Sequence, residues 1–327
     1  MNFLNISAIS KKEGDEFVLN DITFTQQRFQ KIAIAGETGS GKSTLLKIIA
    51  GLVQPSAGEV LFENERVLGP EEKLIPGHPH IAYLSQHFEL RNNYRVEEIL
   101  AMANKMPDEE AETIYEVCRI SHLLKRRTDQ LSGGEKQRIA TAHLLVASPK
   151  LLLLDEPYSN LDMVHKNILK AVIRDIGERL KITCIMISHD PLDTLSWADE
   201  IILMKDGQII QQGTPKQIYN QPVNEYVAGL FGNYNLISPV HAKAFLELQG
   251  IKMNGKNIFV RPESFKIVTK GNHSLVGKVN RVDFFGSYYE IEVLLAENIF
   301  TVKTIENNVV KGDTIYLAMS ADKVRYV

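Results

Sequence analysis

The stretch that most constrains this chain is GETGSGKST, from Gly36 to Thr44. Gly36, Gly41, Lys42 and Ser43 fit a pattern of glycine, four free positions, then Gly-Lys-Ser. Glu37, Thr38, Gly39 and Ser40 fill the free positions, and Thr44 follows. The apolar QKIAIAG before the loop reads as a short strand, and STLLKIIAGL after it carries helical apolar spacing. Strand, glycine loop, helix is the context that turns such a pattern into a physical site. The glycines let successive N–H groups turn inward around an anion, and the helix start adds its positive end. Lys42 is positioned to reach the outer phosphates of a nucleoside triphosphate, and the Ser43 hydroxyl to ligate Mg²⁺.

A second apolar run, KLLLLDEP, lies between Pro149 and Pro157 and reads as a strand buried on both faces. Its end delivers the Asp155 carboxylate toward Mg²⁺. Glu156 is redundant as a second ligand for one metal, and makes sense as the base that polarises an attacking water. KITCIMISHD reads as a parallel neighbour, reached through the helical KNILKAVIRDIGERL. FVLNDITF, GEVLFENERV and HIAYLSQ read as further strands. Helical spacing runs from Val96 to about Leu124, broken at Pro107, and another helix follows LSGGEKQR. The expected fold is an α/β domain with a mainly parallel sheet and a helical subdomain over about 90–147.

The texture changes near residue 222. After QPVNEYVAGLFGNYNLISP come short alternating stretches punctuated by turn residues, among them NIFVRPESFKIV, LVGKVNRVDFF, SYYEIEVLL and DTIYLAM. They predict a small antiparallel barrel or sandwich, with the boundary at about 225–235. The net charge of −3 gives no global pull toward nucleic acid or acidic lipid. Two cysteines, Cys118 and Cys184, are too few for a disulfide framework and fit a reducing compartment. The start MNFLNISAISKKEGDE lacks a basic region leading into an apolar core, and no apolar run approaches the roughly 20 residues of a membrane helix. The expectation is a soluble cytoplasmic protein that reaches a membrane only through a partner. His78, His80 and His87 lack a cysteine or carboxylate at ligand spacing, so no structural metal is expected.

LSGGEKQR (Leu131 to Arg138), together with the glycine loop, LLLLDEP, SNLD and ISHD in that order, resembles the ATP-binding subunits of ABC transporters over about residues 1–235. The resemblance implies that two nucleotide domains pack head to tail around ATP. Ser132, Gly133 and Gly134 would then contact the γ-phosphate held by the other subunit, with Gln137 nearby. It implies Gln86 as a contact to Mg²⁺ and the water, in a segment facing the membrane partner. Asp162 would bridge the two sites, and His189 would sense the γ-phosphate. Asn160 stands where alanine is common in the family. The family stacks an aromatic on adenine from the loop after the first strand. Here Glu13 is near that position, and Phe17, the nearest aromatic, is either a substitute or part of the core.

Residues 231–327 resemble the OB-like TOBE domain of maltose, polyamine and ferric-iron importer ATPases, a domain for dimer contact and regulation; the nucleotide domain is then 1–230. The resemblance implies a second copy and integral-membrane permease subunits as partners, an extracytoplasmic substrate-binding protein indirectly, and a place on the cytoplasmic face of the membrane. The rival is a soluble ABC ATPase acting on nucleic acid or ribosomes. Against it stand one glycine loop, no sustained heptads and no dense basic stripe: Val227 to Val327 holds 12 Lys and Arg against 9 Asp and Glu. Phe284, Phe285, Tyr288 and Tyr289 could stack bases but read rather as core or subunit contact.

Overall fold

In a computed structural model the described residues are 3–86, 90–159, 161–239, 255–271, 274–295, 298–306, 308–320 and 323–326. His87 and Asn160 lie outside them. The chain divides into two compact units, Met1–Pro215 and Lys216–Val327.

The first unit opens with β1 (Leu4–Glu13) and β2 (Glu16–Gln26), paired antiparallel. The strand β1 is hard to see in sequence because its alternation breaks. Pairing slips between Ile6 and Ile9, where Ala8 takes a positive φ of 51°. Next come β3 (Lys31–Ala35), the glycine loop and α1 (Lys42–Ile49). The predicted strand GEVLFENERV is in fact a hairpin, β4 (Ala57–Phe62) and β5 (Glu65–Arg66). Glu63 and Asn64 turn it with φ of 50° and 67°, as a two-residue hairpin loop requires. The four strands form an antiparallel sheet ordered β2-β1-β4-β5, an addition to the expected parallel sheet.

After β6 (Ile81–Leu84) the helical subdomain contributes α2 (Val96–Ala103), α3 (Asp108–Val117) and α4 (Gly133–Leu145), with Pro107 capping α3. The unit closes with β7 (Leu151–Asp155), α5 (Met163–Glu178), β8 (Thr183–Ile187), α6 (Pro191–Trp197), β9 (Glu200–Lys205) and β10 (Gln208–Gly213). The six-stranded sheet is ordered β10-β9-β3-β8-β7-β6 and is parallel apart from β10. One apolar core joins both sheets through Ile6, Leu19, Phe62, Ile34, Leu46 and Leu153. The parallel strands β3, β6, β7 and β8 end toward one edge, where an α/β sheet offers its ligand crevice. Cys118 and Cys184 are buried free thiols, and burial pushes each up to about 12.

The second unit contains most of α7 (Pro215–Asn220), then α8 (Glu225–Leu230) and the short strands β11 (Asn235–Ile237), β12 (Ile258–Val260) and β13 (Phe265–Val268). The longer strands follow: β14 (Leu275–Phe284), β15 (Tyr289–Leu295), β16 (Asn298–Thr304) and β17 (Thr314–Met319), with β18 (Arg325–Tyr326) last. They build two antiparallel sheets, β11-β12-β18 and β13-β17-β14-β15-β16, the all-β OB-like domain that the alternating stretches predicted. The unit begins before residue 230 because Arg261 gathers the preceding helices. Its buried guanidinium donates to the carbonyls of Tyr219, Ala228, Gly232 and Asn233 at 2.9–3.2 Å. Phe284 and Phe285 are 65% and 54% exposed at the β14–β15 tip, so neither is core. Among the described residues no helix is long and apolar enough to cross a membrane.

Candidate nucleotide site

The loop between β3 and α1 is shaped by the backbone of its neighbours. Gly41 caps α1 in the left-handed region (φ 89°), and a Cβ there would lie 2.5 Å from the Val18 carbonyl. Gly36 is as confined: a Cβ would meet the Met204 carbonyl at 2.1 Å. Only glycine fits both places, and the loop leads straight into the start of a helix, whose first amides have no intrahelical acceptor. Lys42 is buried and folds back over the loop, donating to Gly36 O at 2.9 Å, Glu37 O at 2.5 Å and Ser40 Oγ at 3.2 Å. Burial lowers its pKa, while the charges of Glu156, Asp155 and Glu37 oppose that shift. Glu37, Thr38, Gly39 and Ser43 are exposed.

The ends of β6, β7 and β8 bring the acids to this loop. Asp155 accepts from Ser43 Oγ at 3.0 Å and from the Tyr83 hydroxyl at 2.7 Å. The spacing of motifs did not single out Tyr83; its signal is a tyrosine on the strand beside LLLLD, three residues before Gln86. Burial raises the Tyr83 pKa, which keeps the hydroxyl a donor. Glu156 takes a positive φ of 49°, a strained state for a non-glycine residue, and its N–H donates to Ile187 O at 3.1 Å. Gln86 Nε2 donates to Glu156 Oε2 at 3.3 Å, and His189 Nδ1 lies 3.4 Å from the same oxygen. Glu156 is thus half-buried with two exposed polar side chains fixed on one of its oxygens.

Ser132, Gly133, Gly134 and Asp162 form a second group. Ser132 caps α4: its Oγ accepts from Glu135 N at 3.3 Å, and its own N–H donates to Glu135 Oε2 at 2.8 Å. Asp162 caps α5, accepting from the N–H and ring of His165 at 3.0 and 2.6 Å, which hold it below the usual carboxylate range. The His165 ring fills the space beside Gly134. Gln137 is buried, and its amide donates to the carbonyl of Pro157, just after Glu156. It therefore ties the two groups together inside the chain rather than standing open to a ligand.

The donor set suits a triphosphate with Mg²⁺. The start of α1 and Lys42 suit phosphate oxygens, and Ser43, Asp155 and Gln86 carry the oxygen donors that a hard divalent cation takes. Phe17 is 48% exposed, which removes the core alternative for it. It precedes Val18, the residue whose carbonyl confines Gly41, and Lys12 Nζ lies 4.5 Å from its ring centre. His78 and His80 have rings 6.1 Å apart, and among the described residues no group of three or more His, Cys, Asp or Glu could hold a metal ion.

The ABC transporter family pattern matches residues 19–159, and the TOBE domain pattern matches residues 258–327. The spermidine/putrescine import ATP-binding protein of Clostridium acetobutylicum is 32% identical over 344 residues, spanning 98% of this chain and 95% of that protein. The chain belongs to the ABC transporter family. It is an ATP-binding subunit of that family, an ATPase, and it carries a TOBE domain. Another relative is the Fe(3+) ions import ATP-binding protein of Photobacterium profundum, 30% identical, spanning 89% of this chain and 88% of that one. A solved ABC transporter subunit from Clostridium perfringens, described as part of a transporter complex, superposes with a TM-score of 0.60 at 30% identity. That match covers 66% of this chain and 90% of the other. A dimeric ATP-binding cassette bound to ADP and phosphate matches with a TM-score of 0.56 at 25% identity, covering 65% of this chain and 98% of the other.

Proposed function

We propose that the chain energises an ABC importer as a head-to-tail pair of identical subunits with two shared ATP sites. The single observation that carries this is the meeting of Lys42, Ser43, Asp155 and Glu156, with Gln86 and His189 fixed on the Glu156 carboxylate. Lys42 would exchange its three loop acceptors for phosphate oxygens, while the amides of residues 36–44 hold the rest of the chain of phosphates. Mg²⁺, held by Ser43, Asp155 and Gln86, would neutralise phosphate charge. Tyr83 keeps Asp155 turned toward Ser43. Glu156 accepts a proton from the attacking water as the water oxygen bonds to the γ-phosphorus. The bond from that phosphorus to the β–γ bridging oxygen breaks, giving ADP and phosphate. His189 lies close enough to Glu156 to report whether the γ-phosphate is present.

The second group supplies the reason for pairing. Ser132 and Gly133 are exposed at the start of a 13-residue helix, an anion site that lacks a phosphate of its own. In the first turn of α5, whose His165 ring packs on Gly134, Met163 and Val164 are 69% and 68% exposed, an apolar face suited to a second copy. Next to Gln86, the groove lined by Tyr83, Leu90, Ile99, Met102, Ala140 and Leu144 suits a helix from a membrane permease. Residues 1–230 would form the motor, at the cytoplasmic face of the membrane, and the TOBE domain would serve contact and regulation. Relatives at 30–32% identity are named for polyamines, sulfate and ferric iron, so the cargo is chosen by other subunits, including an extracytoplasmic binding protein. No nucleic acid partner is proposed. The test is to recover tagged Glu156→Gln from native membranes with ATP and Mg²⁺. A polytopic membrane protein is expected with it; RNA, DNA or ribosomes without one would overturn the reading.

A further inference from the structure

The first turn of α5 joins elements that belong to different parts of the site. His165 reaches one way. Its N–H and its ring Nδ1 both bond the Asp162 carboxylate, at 3.0 and 2.6 Å, and its ring occupies the space beside Gly134. A Cβ on Gly134 would lie 2.5 Å from His165 Cδ2 and 2.8 Å from Cγ, so the ring and the glycine turn fit each other closely. The next residue reaches the other way. Lys166 Nζ bonds Asp190 at 2.6 Å and Asp193 at 3.0 Å, and Asp190 directly follows His189. One helical turn therefore touches the serine-glycine start of α4, the Asp162 cap and the loop that carries His189. Because an ionised carboxylate only accepts, Nδ1 of His165 carries the proton in this contact, which fixes the ring's tautomer and leaves Nε2 as the second polar atom.

We propose that His165 is a positioning residue of the shared nucleotide site: it locks the Asp162 carboxylate and the Gly134 turn into one rigid surface on which a second copy closes. The proposal rests on the paired-subunit reading above. No step of the chemistry touches His165; it acts through Asp162 and Gly134. A histidine here fits that role better than an aliphatic residue, because it both fills the space against glycine and pins the carboxylate.

The test compares the full chain with His165→Ala and His165→Asn in steady-state ATP hydrolysis with Mg²⁺, together with thermal unfolding. Light scattering of each change in the Glu156→Gln background, with ATP, reads pairing. His165→Ala is expected to lower kcat about tenfold, because a slightly misplaced closing surface costs rate. KM for ATP should stay within about twofold, since the chain's own phosphate loop is untouched. Pairing should need more protein than in the parent. His165→Asn, whose side-chain amide can donate to Asp162 as Nδ1 does, should regain most of the rate. Unchanged kcat and pairing in His165→Ala overturn the proposal, as does a fall in kcat that tracks only lower thermal stability and is not rescued by asparagine. A chain carrying only Glu156→Gln that stays monomeric with ATP overturns the paired-subunit reading itself, and the proposal with it.

Discussion

Glu156 is where chemistry and strain coincide. It holds a left-handed backbone at the end of a fully buried strand, with Gln86 and His189 on its carboxylate. On the proposed reading Glu156→Gln keeps the shape and removes the base, so ATP turnover should fall by at least about 100-fold while nucleotide binding persists. A phosphate-release assay beside equilibrium binding of a fluorescent ATP analogue separates the two. Phe17 makes a milder statement. If its exposed ring serves as the platform for adenine, Phe17→Ala should weaken ATP binding by ~1 kcal/mol, and triphosphate lacking a base should bind both proteins equally. The thiols report burial: with both pushed up to about 12, Cys118 and Cys184 should resist a thiol reagent at pH 8 and react only on unfolding. At this scale the sequence is most legible where chemistry dictates residue type. Gly36, Gly41, Lys42, Ser43, Asp155 and Glu156 are readable because the proposed phosphate, metal and water contacts demand those groups at those spacings. Tyr83 and His165 are not, because their partners are met only once strands pair and helices pack.

At the scale of elements, packing against both faces writes plain sequence and irregularity hides it. The strands β7 and β8 are continuous apolar runs because helices and neighbouring strands cover them, and both were readable. The positive φ at Ala8 breaks the alternation of β1, and the turn at Glu63 and Asn64 divides what reads as one strand. The start of the second unit is equally hidden, because it depends on one side chain. Arg261 bonds four backbone carbonyls from residues before it and stacks on Tyr219, with 4.2 Å from guanidinium carbon to ring centre. Arg261→Ala would leave buried acceptors unmatched, and the second unit should lose about 3 kcal/mol. Denaturant unfolding followed by tryptophan fluorescence and by far-UV circular dichroism reads this locally, since Trp197, the chain's one tryptophan, is in the first unit. The circular-dichroism transition should move to lower denaturant for the β-rich unit and the fluorescence transition should stay.

For the whole molecule, the arrangement explains why a chain with a complete phosphate loop still presents a second anion site. Ser132 and Gly133 stand exposed on α4, joined to the loop side through Gln137 and Pro157 and through the first turn of α5, where Met163 and Val164 are exposed. Two copies facing in opposite directions would fill both sites with two nucleotides. Motif order makes the fold class and the ATPase legible, but cargo is not legible, because on the proposed reading nothing in this chain needs to touch it. The most direct measurement is the solution mass of Glu156→Gln by light scattering, without nucleotide and then with ATP and Mg²⁺. A shift from monomer to twice that mass with ATP, abolished by adding Ser132→Arg, is the predicted result. A chain that binds ATP at saturating concentration and remains a monomer would contradict the shared-site account.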